Sequence, residues 1–116
     1  MLYTLKPSQA LTLLQGISLA QVRSDMPDLT TRQMTILLTI YMEAPPHTVR
    51  GLAARLQVTK PVITRALDAM GALKLVSRHR DPRDRRNVII ARTVEGSLYL
   101  ERLADLVIDK AKRLAP

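Results

Sequence analysis

The sequence predicts a mostly helical α+β domain with a small β-hairpin, in the element order α-α-α-α-β-β-α. Three observations predict it. Apolar residues recur at helical spacing in five separate stretches. Two short β-branched or alternating segments late in the chain flank a polar, Pro-containing loop. The 116 residues, 47% of them apolar, are enough for one domain around one modest core. The chain is therefore read as a single domain over 1–116, with its terminal helices, 1–24 and 94–116, expected to pack in a dimer interface.

Pro7 and Ser8 open the first helix. Ala10, Leu13, Leu14, Ile17 and Ala20 form one stripe, and Leu11, Leu19 and Val22 lie off it, so this helix is apolar on more than one side. Asp25 to Asp28, with Pro27 inside, breaks it. Thr30 and Gln33 read as a capping box at the start of the second helix. Met34, Leu37, Leu38 and Tyr41 are expected to face the core, and Ala44-Pro45-Pro46 stops the helix. Thr48 caps a short third helix that turns Leu52, Ala53 and Leu56 inward. Gln57-Val58 makes a tight turn and Thr59 caps the fourth helix, where Pro61 is tolerated because first-turn N–H groups lack intrahelical partners. Ile63, Ala66, Leu67, Met70 and Leu73 form its inner stripe. Lys60, Thr64 and Asp68 fall on the opposite face, with Arg65 beside them.

Two short helices joined by about three residues, the second basic at its start, make a helix-turn-helix pattern. Leu75 to Arg80 and Asn87 to Arg92 then read as the two strands of a hairpin around Asp81–Arg86. Thr93 caps a last helix with Leu100, Leu103, Val107, Ala111 and Leu114 on one face and Leu98, Leu106 and Ile108 widening it. A helix-turn-helix followed at once by a basic hairpin is a winged helix-turn-helix.

The charge is localised. Residues 50–92 hold eleven Lys or Arg against three Asp, a net +8 that equals the formal charge of the whole chain. Charge that serves solubility alone would be spread around, whereas a confined excess is the footprint of a polyanion-binding face. Two elements carry it. The run from Thr59 offers Thr59, Lys60, Thr64 and Arg65 to phosphates or base edges, and Pro61 and Val62 to thymine methyls. The hairpin crowds Arg80, Arg83, Arg85 and Arg86 into seven residues, and planar, weakly hydrated guanidinium groups suit a narrow minor groove. Asp81 and Asp84 are expected to accept from Arg83 and Arg86 and hold the turn, leaving other arginines free. Arg50 and Arg78 join the candidate DNA-binding set, as does Asp84 for its place in the loop.

Several classes are disfavoured. With three Tyr and no Phe or Trp, there is no aromatic platform for stacking unpaired bases. With no Cys, disulfides, thiolate zinc sites and thiol redox sensing are excluded, in keeping with a reducing cytoplasm. The apolar stretch 10–22 is too short and too polar to span a bilayer and lacks the marks of a signal peptide. His47 and His79 are isolated and read as surface or wing histidines. Ser97 has no neighbouring base, and four scattered Gly form no phosphate loop. No catalytic residue, metal site or cofactor is expected.

The residues Thr48–Leu56, Thr59–Asp68, Leu75–Arg78, Asp81–Arg86 and Ala91–Gly96 resemble the MarR family of transcriptional regulators over residues 30–100. Asp81, Arg83 and Arg86 meet its Asp-x-Arg-x-x-Arg wing pattern, and Thr93 and Gly96 its Thr-x-x-Gly. The resemblance implies a homodimer on a pseudo-palindromic double-stranded operator. It also implies a recognition helix in the major groove, a wing in the minor groove, and dimerisation through the terminal helices. Lys74 stands where the family usually has a glycine suited to a left-handed helix cap, and Gly71 lies inside the helix instead. Only one helix follows the wing, so the dimerisation region is short for the family, and no constellation for a small-molecule effector stands out. The competing readings are a sequence-tolerant architectural DNA-binding protein and a winged helix that meets an acidic protein. The expected location is the cytoplasm, at the nucleoid.

Overall fold

A computed structural model describes residues 4–114. Its elements are α1 (Pro7–Arg23), α2 (Thr31–Met42), β1 (His47–Thr48), α3 (Val49–Leu56), α4 (Lys60–Ala72), β2 (Val76–Arg80), β3 (Val88–Arg92) and α5 (Val94–Lys112). The expected order holds with one addition. The two-residue β1 pairs His47 with Ile90 and Thr48 with Ile89, turning the hairpin into a three-stranded antiparallel sheet of order β1-β3-β2. Two residues are too few to show an alternating pattern, so the sequence conceals this strand.

The chain divides into two compact units. One is Leu29–Leu98; the other comprises α1, the turn after it as far as Asp28, and α5 from Tyr99 onward.

In the 29–98 unit, Ile36, Leu37, Ile40, Leu52, Ile63, Leu67 and Met70 are sealed from solvent. The sheet closes this core with Val76 and Ile90. The Thr30 capping box forms as expected: Gln33 N–H donates to Thr30 Oγ1 at 3.1 Å, and Thr30 N–H donates to Gln33 Oε1 at 2.9 Å. The inner face of α2 is a correction. Ile36, Leu37, Thr39 and Ile40 are buried, whereas Leu38 is exposed and Met34 and Tyr41 lie at the rim. An all-apolar stretch such as Ile36–Leu38 fits a stripe at more than one rotation, and packing on α4 and β3 selects among them. Leu73 is a second correction. It caps α4 at its C-terminus and is exposed, because the chain already turns there.

Both helices of the helix-turn-helix end through a residue in the left-handed region. Gln57 (φ 58°) follows α3 and Lys74 (φ 62°) follows α4. Each end closes with a bond from the next residue back across the turn: Val58 N–H to Ala53 O and Leu75 N–H to Met70 O, both 3.0 Å. Lys74 thus adopts the conformation that a glycine at its position would adopt without strain.

Tyr41 joins α2 to the start of α5. Its hydroxyl donates to Leu75 O at 2.9 Å and accepts from Thr93 N–H at 2.9 Å. Thr93 caps α5 by accepting from Gly96 N–H at 2.9 Å, while its own hydroxyl donates to Lys74 O at 2.7 Å. A methyl group at Gly96 would overlap both the Tyr41 hydroxyl and the Leu75 carbonyl, which explains the small residue at this point of the Thr-x-x-Gly pattern. Arg92 lies over the Tyr41 ring, 5.7 Å from its centre, and donates to Ile40 O and Glu43 O at the end of α2.

The other unit is different in kind. No residue of α1 is buried, and Leu11, Leu14 and Val22 are 59–78% exposed. Among its described residues Met26 and Tyr99 are buried, the latter absent from the expected α5 stripe. The Tyr99 hydroxyl reaches Pro27 O at 3.4 Å, and burial pushes its pKa up from the usual phenol value, aided by the nearby Asp28 charge. Arg102 donates to Asp25 at 2.9 Å and holds that carboxyl below its ordinary pKa. Ile108 on α5 is exposed.

Candidate nucleic-acid interface

α4 presents its N-terminal half outward. Lys60, Pro61, Thr64 and Arg65 are exposed and Val62 is half-buried, while Ile63, Ala66, Leu67 and Met70 seat the back of the helix. Thr59 is the N-cap by backbone conformation, and its carbonyl accepts from Val62 and Ile63 N–H groups. Its side chain makes no capping bond, unlike those of Thr30 and Thr48. The Arg65 Nε reaches back to Pro61 O at 3.4 Å, a long bond that aims the guanidinium toward the start of the helix.

The first turns of α2, α3 and α4 contain no acidic residue. They contain Arg32, Arg50 and Lys60 instead. The positive end of a helix dipole favours anions, so these cations stand where intrahelical electrostatics opposes them. α5 follows the ordinary rule, with Glu95 in its first turn and Lys110 and Lys112 in its last.

The wing is held by two consecutive aspartate turns. Asp81 accepts the backbone N–H of Arg83 at 2.9 Å, and Asp84 accepts that of Arg86 at 3.1 Å. Asp84 also takes the Arg86 guanidinium, with Nε at 3.1 Å. These bonds, with the nearby Arg50 charge as a smaller contribution, hold the Asp84 carboxyl below its ordinary pKa. The expected pairing is therefore corrected in part: Arg86 is neutralised by its side chain, but Arg83 only through its backbone. Arg80 donates to Arg85 O at 2.7 Å and braces the loop. Among the described residues, the guanidinium groups of Arg83 and Arg85 make no ion pair and stand exposed.

β2 pairs with β3 so that Arg78 faces Ile90 and Arg80 faces Val88, and both lie on the sheet face that carries Val76. Near the core this face is apolar; farther out it is cationic. Arg78 forms an ion pair with Asp68 of α4 at 2.8 Å. The outward face of α4 and the arginine face of the wing are thus joined directly.

Other basic residues of the 50–92 segment serve the fold. Arg92 caps α2, and Arg55 makes a two-pronged contact with Glu43 at 3.0 Å. That contact holds the Glu43 carboxyl below its usual pKa. His47 corrects another expectation. It is buried in β1 with Nε2 3.1 Å from Glu43 O, so it is a structural residue and not a surface one. His79 stands exposed on β2. Among the described residues, no group of three or more His, Asp or Glu is placed to hold a metal ion.

Residues 28–87, which span the helix-turn-helix and most of the wing, match the model of the MarR family. The chain belongs to the MarR family. It is accordingly a winged-helix transcriptional regulator. Solved structures of MarR-family proteins superpose over most of its length. A Staphylococcus aureus MepR mutant shares the fold at TM-score 0.75 and 21% identity, over 96% of this chain and 83% of that one. A MarR-family regulator from Rhodococcus aligns at TM-score 0.66 and 27% identity, over 90% and 71%. A mutant of Escherichia coli MarR in complex with operator DNA aligns at TM-score 0.67 and 27% identity, over 92% and 71%. A comparison with curated proteins finds no match.

Proposed function

We propose that this MarR-family chain acts as a homodimer on a specific pseudo-palindromic DNA operator, with α4 in the major groove and the Arg83–Arg86 loop in the adjacent minor groove. The Arg78–Asp68 ion pair carries this reading, because it links the outward face of α4 to the arginine face of the wing. In the proposed contact, Arg50, Thr59, Lys60, Thr64, Arg65, Arg80, Arg83 and Arg85 reach phosphates and base edges, and Pro61 and Val62 lie against thymine methyls. Asp84 and Arg86 shape the loop. α4 has 13 residues and spans about 20 Å, a length one turn of major groove accommodates. The E. coli relative bound to operator DNA supports the assignment. The exposed leucines of α1 and α5 support dimerisation. No described helix is long and apolar enough to cross a membrane, and the proposed site of action is the nucleoid in the cytoplasm.

Fragments selected from random DNA by the purified protein test this reading, followed by salt titrations of a selected and an unselected fragment. A regulator prefers the selected fragment by about a thousandfold or more. Equal affinity with a steep salt slope would make the protein architectural, and weak binding to both would favour a protein partner. Arg65→Ala is expected to cost about 1–3 kcal/mol on the selected fragment and to relax base preference, whereas Arg85→Ala weakens both fragments alike.

A further inference from the structure

Building on the function proposed above, we infer that the DNA-binding face extends past α4 onto the start of α2, where Arg32 takes a backbone phosphate flanking the bases that α4 faces. Arg32 lies outside the basic 50–92 segment, and composition gives no hint of it. The structure places it at one cleft with Arg65. That cleft, of about 380 Å³, is lined by Thr30, Arg32, Gln33, Val62, Arg65 and Ala66. A second cleft, of about 680 Å³, shares Thr30 and Arg32 and runs on past Thr35 to Arg55.

The charge in these clefts is unbalanced. No acidic side chain lines either one. Arg55 is matched by Glu43, but Arg32 makes no ion pair among the described residues. Arg65 makes only its long bond to a carbonyl. Two guanidinium groups lining one cleft without an internal anion repel each other, and an external anion between them reverses the sign of that interaction. The fork of a guanidinium matches the oxygens of a phosphate.

The occupant follows from the openness and position of the clefts. Arg32 and Arg65 are exposed, so the cleft does not enclose a small anion. A polyanion held on both sides of the cleft needs no enclosure. Arg65 stands beside Lys60 and Thr64, so a strand that follows the outward face of α4 passes the mouth of the cleft.

The test compares wild type, Arg32→Gln and Arg32→Lys on a selected DNA fragment and a random one. Salt is varied, and inorganic phosphate is added at matched ionic strength. Arg32→Gln is expected to weaken binding to both fragments on the order of tenfold and to lower the salt slope by about one ion, without a lower melting temperature. Arg32→Lys recovers most of the loss. Wild-type affinity and slope in Arg32→Gln would overturn the inference, with the wider reading intact. So would a loss confined to the selected fragment, which signals a base contact. If inorganic phosphate brings the wild type down to the level of Arg32→Gln, the cleft holds free anions and not the DNA backbone. Wild type that binds neither fragment overturns both readings.

Discussion

The 29–98 unit and the α1–α5 unit use similar residues to different ends. Leu, Ile and Ala at helical spacing fill both. In the first, seven large side chains are fully buried because α2, α3, α4 and the sheet supply each other's missing surface. In the second, α1 buries nothing completely and leaves Leu11, Leu14, Leu19 and Val22 in water. Apolar spacing states that a face requires cover; it does not state whether the cover belongs to the same chain. Exposed apolar stripes on both terminal elements are what a second copy would bury.

The strongest way to break this comparison is to substitute one leucine type in both units. Leu67→Ala should cost about 2–5 kcal/mol in urea unfolding, because it leaves a cavity among sealed neighbours. The double substitution Leu11→Ser and Leu14→Ser should leave that core intact and lower the mass in light scattering from dimer to monomer. An unchanged mass would remove α1 from the proposed interface.

Next in size is Gly96→Ala, expected to destabilise by about 1–3 kcal/mol through overlap with the Tyr41 hydroxyl and the Leu75 carbonyl. In a double-mutant cycle with Tyr41→Phe, the combined loss should fall short of the sum, because the second change removes one of the overlapping atoms. Strict additivity would show that the hydroxyl does not set the fit. Lys74→Gly acts in the opposite direction. Relief of the left-handed backbone at φ 62° should stabilise the 29–98 unit by about 1 kcal/mol, read as a higher urea midpoint.

The smallest effect concerns pH and the other unit. The folded pKa of Tyr99 is raised, so its neutral form is favoured by folding. The stability this confers is complete below the unfolded phenol value of about 10 and disappears as pH rises through the folded value. Tyr99→Phe should therefore flatten the fall in unfolding free energy on the alkaline side. The same slope in both proteins would refute the assignment.

Much of the candidate interface was legible from residues alone. Thr59–Arg65 stand out because a basic N-terminal half precedes a clean inner stripe, and the Arg80–Arg86 stretch because four arginines exceed two aspartates. The same local rules place the Thr30, Thr48 and Thr93 caps, since a cap depends on residues three positions apart. The rotation of α2 was not legible, because Ile36, Leu37 and Leu38 are equally apolar. Nor was the role of His47, whose partner strand begins some forty residues later.

The sequence by itself determined the helices, their caps, the hairpin and the confinement of positive charge, because these depend on spacing within one or two turns. Only the tertiary structure decided which cations remain unpaired. Arg78 meets Asp68 and Arg55 meets Glu43, while Arg32 and Arg65 line one cleft. Coulomb energy falls with distance in space, not along the chain, so charge balance at the interface exists only once the fold has set those distances.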